Sequence, residues 1–261
     1  MIEKHQPQSL RKSAFSVPFF DSQAMADDTQ MREEILPFTV KIVQNEEDLD
    51  KAIRVRHSAY ARHLPALAET LREPEALDRA AGVVVLLAES KLDGTPIGSA
   101  RIQSNDFQSL AVEQSIKLPD WLSERSIVEV TRLSIADGRA GRLVKLIMMK
   151  AMHQYWLQND VDYAIATGRA PIDRQYEQLL FSDVFPDQGF IPLRHVGDVP
   201  HRVMGFCVES LEQRCLHARH PLYQLFFQTY HPDINVFNTV RSNVVKSQLR
   251  IVNDHRGRMR T

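Results

Sequence analysis

The segment from Ser126 to Ile135 constrains the fold most strongly, because it has the pattern of a strand and yet carries two charges. Glu129 and Arg132 lie three positions apart among five apolar residues. Side chains of a regular strand alternate between faces, so residues three apart point to opposite faces of a sheet. At least one charge is then buried and needs a partner. Two interpretations stay open: a structural ion pair, or a carboxylate and a guanidinium at the rim of a substrate cleft.

A turn and a long helix follow this strand. The turn spans Asp137–Arg142 and is rich in Gly and Arg, and apolar periodicity predicts a helix over Leu143–Leu157. A strand, such a turn and a helix N-terminus together favour an anion site, because free backbone N–H groups and the helix dipole point at it. This context favours the substrate-cleft interpretation.

The remaining patterns predict a mixed α/β (α+β) fold and not the regular alternation of a doubly wound sheet. Asn45 is the expected N-cap of the first long helix. The continuous apolar run at 83–89 is typical of a central strand, and Asp93-Gly94 predicts a hairpin directly after it. The other predicted strands are 38–43, 96–103, 161–167, 190–193 and 203–208, and the other predicted helices are 46–62, 65–72 (a helix or loop) and 172–181.

Composition divides the chain into three parts. Residues 1–36 are polar and aperiodic and predict a flexible N-terminal arm. Residues 37–208 hold the strands and helices above and predict one domain. Residues 209–261 predict a helical C-terminal extension with a basic tail.

Charge and cysteine content exclude several functional classes. The formal net charge of −1 argues against a general nucleic-acid binder. Cys207 and Cys215, eight residues apart, form neither a disulfide framework nor a metal knuckle, and the histidines show no ligand spacing, so no metal is expected. A reducing compartment, the lack of a signal-peptide pattern and the lack of a membrane-spanning stretch predict a cytoplasmic protein.

Four pieces of sequence, in this order, resemble the acyl-transferring branch of the GCN5-related N-acyltransferase (GNAT) fold. That branch contains the long-chain N-acyl amino acid synthases and the acyl-homoserine-lactone synthases. The pieces are Arg56 with Tyr60, the Gly98–Ile102 strand with Arg101, Glu129–Leu133, and the Arg139–Trp156 turn and helix. The resemblance covers about residues 38–208. It implies a splayed central sheet flanked by helices, and transfer of a fatty acyl group from a thioester to an amine.

The resemblance also implies roles for the residues of the Glu129 strand. Glu129 is the expected general base for the acceptor amine, with Arg132 beside it as the second catalytic residue. Backbone N–H groups near Leu133 and Ser134 are expected to bind the substrate oxyanion where the sheet splays. Arg101 and Arg132 offer planar forks for a carboxylate on the acceptor. Arg56 and Tyr60 complete the predicted substrate-binding set; a solvated edge-strand charge is the alternative for Arg101.

The turn departs from the pattern of acetyl-CoA enzymes of this fold. Gly141 occupies the first glycine position of their phosphate-binding motif, but Gly138 and Leu143 stand where the motif has Arg or Gln and a second small residue. This departure favours a donor with one phosphate, the phosphopantetheine of an acyl carrier protein, over coenzyme A. Arg139, Gly141 and Arg142 are the expected phosphopantetheine-binding residues. No further cofactor is expected; the partners are the carrier protein and a small amine, and the lipid product allows peripheral membrane contact.

The acceptor and the acyl site stay open. Glu69, Glu73, Glu75 and Asp78 all qualify as the acidic residues of the segment after the first helix, and the departures favour an amino acid over S-adenosylmethionine. The alternatives are an acyl-homoserine-lactone synthase that makes autoinducers and a non-catalytic acyl-binding protein. Core packing is favoured over an acyl tunnel for Met148, Met149, Met152, Trp156 and Phe181.

Overall fold

The computed structural model describes residues 31–138 and 140–237, which from Arg32 onward belong to one compact unit. The α-helices are α1 (Glu46–Ala61), α2 (Pro65–Glu69), α3 (Gly141–Gln158), α4 (Asp173–Glu177) and α5 (Leu211–His217). The strands are β1 (Arg32–Glu33), β2 (Phe38–Ile42), β3 (Val83–Ser90), β4 (Pro96–Ser104), β5 (Ile127–Ile135), β6 (Tyr163–Gly168), β7 (Ser182–Asp183), β8 (Ile191–Leu193), β9 (Val199–Cys207), β10 (Thr229–Tyr230) and β11 (Ile234–Asn235).

The main sheet is mixed, as the sequence predicts. Its strand order is β11-β2-β3-β4-β5-β6-β9-β7, and β8 adds to β9. Strands β2 to β5 pair antiparallel, whereas β5 and β6 run parallel. The α/β class with a mixed sheet flanked by helices is therefore confirmed.

Helices α1 and α3 cover opposite faces of this sheet, and β3 shows why. Val84, Leu86 and Ala88 pack in the core cluster that contains the apolar face of α3, while Val85 and Leu87 pack against α1. A strand that is covered on both faces needs apolar residues at every position. The uninterrupted run at 83–89 is thus confirmed as a central strand, with the predicted hairpin at Gly94 (φ 70°) directly after it.

The long helices begin where their sequences predict. The Asn45 side chain accepts a hydrogen bond from the backbone N–H of Asp48 (2.8 Å), as expected of an N-cap. Helix α3 extends the predicted 143–157 helix slightly at both ends, and its buried face includes Ile147, Met148 and Met152.

Several regions differ from the sequence-based expectation, among them Arg32–Glu33, which forms β1 within the predicted N-terminal arm, and Ser182–Asp183, which forms β7. The helix predicted at 172–181 is reduced to Asp173–Glu177. The stretch after Glu209 holds α5 and a π-helical turn, and then two short strands that were not predicted, of which β11 pairs parallel with β2. Two-residue strands are too short to show a periodic pattern. Strand β10 is defined by its pairing with β1, and β11 by its pairing with β2 and the burial of Ile234 and Val236.

Strand β5 is irregular at the point that matters for the site. The register of the β4–β5 pair shifts between Ser99 and Arg101, and Arg132 adopts a left-handed backbone conformation (φ 57°). This bulge breaks the alternation of faces. Glu129 and Arg132 consequently both reach His195, so the prediction that they point to opposite faces is wrong.

Strands β5 and β6 also separate along their length. They pair from Ile127 with Tyr163 to Val130 with Ala166, and no pairing between them follows. Residues 131–135 of β5 are left without a β6 partner on that side. We call the gap between these residues and the end of β6 the wedge.

Both cysteines are free thiols, Cys207 exposed and Cys215 buried. Within the described parts of the chain, none of the helices combines the length and the apolar character of a transmembrane segment.

Candidate active site

A cavity of about 310 Å³ opens in the wedge. One wall is β5 from Val130 to Ile135, and the facing wall is the end of β6 with the loop from Thr167 to Ile172. The last turn of α1 and the loop after it close one side, and the turn that carries His195 closes the other. The cavity therefore lies where parallel strands part, a common position for ligand sites in sheets of this kind.

Four of the predicted substrate-contacting residues line this cavity. Leu133 and Ser134 are part of its β5 wall, and the Ser134 hydroxyl donates to the Arg132 carbonyl oxygen (3.0 Å). The Arg132 guanidinium lies 5.7 Å from the centroid of the Tyr60 ring, a cation–π distance. These four residues, which were predicted from the family resemblance, therefore lie together at the cavity.

Arg56 and Arg101 lie elsewhere, inside a buried network. Arg56 is 0 % exposed and donates two hydrogen bonds of 2.8 Å to the Asp78 carboxylate. Arg101 donates to the Thr131 hydroxyl (3.0 Å), to Glu75 (2.9 Å) and to Asp78 (3.3 Å). Neither guanidinium lines the cavity. Since β4 is an interior strand, the alternative of a solvated edge charge for Arg101 is also wrong.

Arg132 joins this network from the cavity side. Its Nε and Nη2 donate to the two oxygens of Glu75 at 2.9 and 2.7 Å, a bidentate pair. We call Arg56, Arg101, Arg132, Glu75 and Asp78 the arginine–carboxylate network. Burial by itself opposes ionisation of Glu75, but the hydrogen bonds and charge of Arg132, with the charges of Arg101 and Arg56, lower its pKa to about 2.

The network settles which acidic residues of the 69–78 segment meet the arginines. Glu75 and Asp78 form a capping box around the 3₁₀ turn Ala76–Arg79, so the turn itself orients both carboxylates. Glu69 instead pairs with Arg72 at the exposed surface. Sequence spacing could not separate these candidates, because the turn is too short to show periodicity.

Glu129 is 0 % exposed and does not reach the cavity. Its Oε2 accepts a hydrogen bond from the backbone N–H of Val112 (2.9 Å). Burial raises the pKa of Glu129 to about 7, against the opposing effects of the Val112 N–H and the Arg101 charge. Its Oε1 has no hydrogen-bond partner among the described residues.

His195 stands between Glu129 and the cavity. Its Nε2 lies 3.7 Å from Glu129 Oε1, and the residue lines the cavity while both of its ring nitrogens are buried. Burial, and then the charge of Arg132, lower the pKa of His195 to about 4. Sequence reasoning missed this residue, because it lies in a loop far from Glu129 along the chain and shows no ligand spacing.

The turn before α3 lies outside the cavity lining. Arg139 falls outside the described residues, so its predicted role stays a prediction. Helix α3 begins at Gly141, with Ala140 as an N-cap that makes no side-chain hydrogen bond. Gly141 and Arg142 thus occupy the first turn of the helix, where the sequence predicts a phosphate group.

The large apolar residues of α3 and Phe181, which follows α4, act mainly as core. Met148 and Met152 are fully buried. Met149, Trp156 and Phe181 line a second, apolar cavity of only about 20 Å³, which has no room for an acyl chain. The described residues also contain no cluster of three His, Cys, Asp or Glu side chains that could hold a metal ion.

Comparison with known proteins supports the fold. The sequence matches no protein-family model, and no curated protein sequence matches it. FeeM, an N-acyl amino acid synthase from uncultured soil microbes, is similar in structure with 17 % identity and a TM-score of 0.54, over 70 % of this chain and 96 % of that chain.

Two further solved structures are similar at lower TM-scores. BjaI, a CoA-dependent acyl-homoserine lactone synthase, has 17 % identity over 74 % of this chain and 93 % of that chain, with a TM-score of 0.49. A GNAT-family protein from Desulfovibrio desulfuricans has 16 % identity over 66 % and 99 %, with a TM-score of 0.46. The fold of this chain is that of the GNAT proteins and is shared with the N-acyl amino acid synthase FeeM.

Proposed function

We propose that this protein is an N-acyltransferase that moves a long-chain fatty acyl group from an acyl-carrier-protein thioester to the amine of an amino acid. One observation carries the proposal: a cavity opens in the wedge between two separated parallel strands, within a fold shared with an N-acyl amino acid synthase. Tyr60, Arg132, Leu133 and Ser134, which belong to motifs that resemble that branch, line this cavity, while Arg56, Arg101 and Glu129 are buried behind it.

The wedge suits a thioester donor. Past Val130, the backbone groups of β5 that face β6 have no strand partner. Such groups seek hydrogen bonds, and the amides of a phosphopantetheine arm can supply them in the manner of an added strand. Backbone N–H groups near Leu133 and Ser134 then lie beside the thioester carbonyl and can stabilise the oxyanion that forms there.

The charges of the cavity favour an acceptor that carries a carboxylate. Its described lining residues include three arginines and three histidines but no Asp or Glu. Arg132 is neutralised by Glu75, and Arg62 donates to the Ile135 carbonyl oxygen (2.9 Å). Arg169 makes no side-chain hydrogen bond or ion pair among the described residues. It is therefore the guanidinium most available for the carboxylate of an amino acid, whereas a cationic sulfonium would be repelled.

The test combines purified protein with acyl-carrier protein or acyl-CoA as donor, and with amino acids or S-adenosylmethionine as acceptor. We expect mass spectrometry to detect N-acyl amino acids, with the carrier-protein donor preferred and its use weakened by salt and by Arg142→Glu. Arg174→Glu, an exposed charge reversal outside the cavity lining, serves as the matched control.

Three outcomes would contradict the proposal in different ways. A lactone formed from S-adenosylmethionine, with no acylated amino acid, would identify a lactone synthase. If the protein used acyl-CoA as well as acyl-carrier protein, and without salt dependence, the proposed carrier-protein donor would be wrong. Tight binding of acyl chains without transfer to any amine would identify a binding protein.

A further inference from the structure

The wall between Glu129 and the cavity contains an unusual set of unpaired polar atoms. Both ring nitrogens of His195 and Oε1 of Glu129 are buried and have no hydrogen-bond partner among the described residues. Buried polar atoms are normally satisfied, so three unpaired atoms on two neighbouring side chains indicate a functional role. Nε2 of His195 and Oε1 of Glu129 are 3.7 Å apart, which a small side-chain movement on ligand binding would close.

The position of His195 is held by its neighbours. It lies in the 3₁₀ turn Arg194–Val196, which ends at Gly197 with φ 73°. Nη2 of Arg132 donates to the His195 carbonyl oxygen (3.1 Å) and so ties the turn to the bulge of β5. The backbone of His195 is thus held at the cavity wall, while its ring nitrogens have no hydrogen-bond partner among the described residues.

We propose that His195 is the catalytic residue that takes the proton from the acceptor amine, and that Glu129 is a positioning residue that orients it from behind. The inference rests on the proposed function but assigns the proton transfer to a residue outside the motifs of that function. Glu129 cannot contact a substrate in the cavity, whereas His195 lines it.

The proton balance of the step is simple. The ring movement that closes the 3.7 Å gap also brings the buried Nδ1 to the cavity. Glu129, as a carboxylate, then accepts a hydrogen bond from Nε2–H of His195, which leaves the Nδ1 lone pair free. As the amine nitrogen bonds to the thioester carbonyl carbon, its proton moves to Nδ1. Collapse of the tetrahedral intermediate breaks the carbon–sulfur bond, and the imidazolium returns the proton to the leaving thiolate.

The charges around the pair set its pH dependence. Arg101, Arg132 and His201 lower the proton affinity near the pair, and Glu75 and Glu113 raise it. The arginines stay charged, Glu75 is ionised, and burial lowers the pKa of His201, so Glu129 is the member that changes state near pH 7. Below that pH the protonated Glu129 carboxyl donates a hydrogen bond to Nε2 of the neutral ring, whose single proton then lies on Nδ1, so Nδ1 cannot accept the proton of the amine. We therefore expect transfer to increase with pH through about 7.

Nuclear magnetic resonance tests the pair without any assay of activity. In the wild-type protein, the ring nitrogens of His195 should report a titration step near pH 7. The step should vanish in Glu129→Gln and persist in Glu124→Gln, a matched change at an exposed position. Identical titration of His195 in the wild type and in Glu129→Gln would overturn the pairing.

Kinetics test the catalytic role. We expect His195→Gln to lower kcat by roughly 10²- to 10⁴-fold with a nearly unchanged acceptor KM, and added imidazole to restore part of the activity of His195→Gly. Glu129→Gln should lower kcat by roughly 10²-fold and abolish the pH dependence near 7. His217→Gln, an exposed histidine on α5, is the control.

Wild-type kcat in a folded His195→Gln or His195→Asn protein would overturn the catalytic assignment. Absence of transfer by the wild-type protein to any amine would instead refute the proposed function, and the magnetic resonance titration would still decide whether the pair exists.

Discussion

Two buried charged sites flank the same stretch of β5, and they differ in how their charges are paired. In the arginine–carboxylate network, each guanidinium meets at least one carboxylate within 3.4 Å. At the Glu129–His195 site, a carboxylate and an imidazole face each other without a hydrogen bond. The difference indicates a division of roles: paired charges stabilise the wall of the cavity, while unpaired groups remain available for chemistry.

The comparison also predicts opposite responses to pH. The pKa of Glu75 is lowered to about 2, so its stabilisation is present above about pH 4.5 and is lost as the pH falls to 2. The pKa of Glu129 is raised to about 7, so this residue costs stability once the unfolded carboxylate ionises above about pH 4.5, and the cost grows until pH 7.

The largest effect is expected from removing a guanidinium inside the network. Arg56→Met removes both 2.8 Å hydrogen bonds to the buried Asp78 carboxylate, which keeps only the longer contact with Arg101, and should lower the free energy of unfolding by about 3–5 kcal/mol. Chemical denaturation measures this. Arg72→Met, which breaks only the exposed pair with Glu69, should cause no measurable change. A similarly small effect for both variants would mean that the network does not stabilise the fold.

A second prediction concerns the unpaired site. Glu129→Gln removes the ionisable group, so relative to the wild type it should gain about 3 kcal/mol of stability between pH 4 and pH 8. Thermal unfolding at several pH values measures this difference. A constant difference across the range would show that Glu129 titrates normally, and the contrast between the two sites would fail.

A third prediction concerns the arginine–carboxylate network, where the same kind of substitution should lower stability instead of raising it. Glu75→Gln should lose about 2 kcal/mol of stability at pH 7, after allowance for screening of this partly exposed carboxylate, and the loss should shrink as the pH falls towards 2. The same unfolding experiments detect it. Loss of stability that is equally large in acid would point to packing and not to charge pairing.

The smallest effect is expected at Arg169, the cavity arginine without a side-chain partner among the described residues. Arg169→Gln should raise the acceptor KM by about 10-fold, as expected for one charge-assisted hydrogen bond, with little change in kcat. Arg174→Gln, at an exposed position of α4, is the control. The opposite result, a raised KM in Arg101→Lys but not in Arg169→Gln, would contradict this prediction. It would mean that the acceptor carboxylate binds Arg101 in place of Glu75.

Much of the fold followed from local patterns. The Asn45 cap, the apolar run of β3, the hairpin at Gly94 and helix α3 each depend on residues close together in sequence, and each is found where it was predicted. Local periodicity is strong for such elements. The short strands β10 and β11 could not be predicted, because each depends on pairing with a strand far away in the sequence, β1 and β2 respectively.

The sequence by itself identified the strand that forms the cavity wall and the buried charge on it, because a carboxylate within an apolar strand pattern is visible without any structure. Only the tertiary structure decided which face Arg132 occupies, which carboxylates neutralise the arginines, and that His195 stands between Glu129 and the cavity. The physical reason is that these features depend on contacts between residues far apart in the sequence. The bulge depends on the register between β4 and β5, and Glu75 and His195 contact residues of β5 from distant segments of the chain.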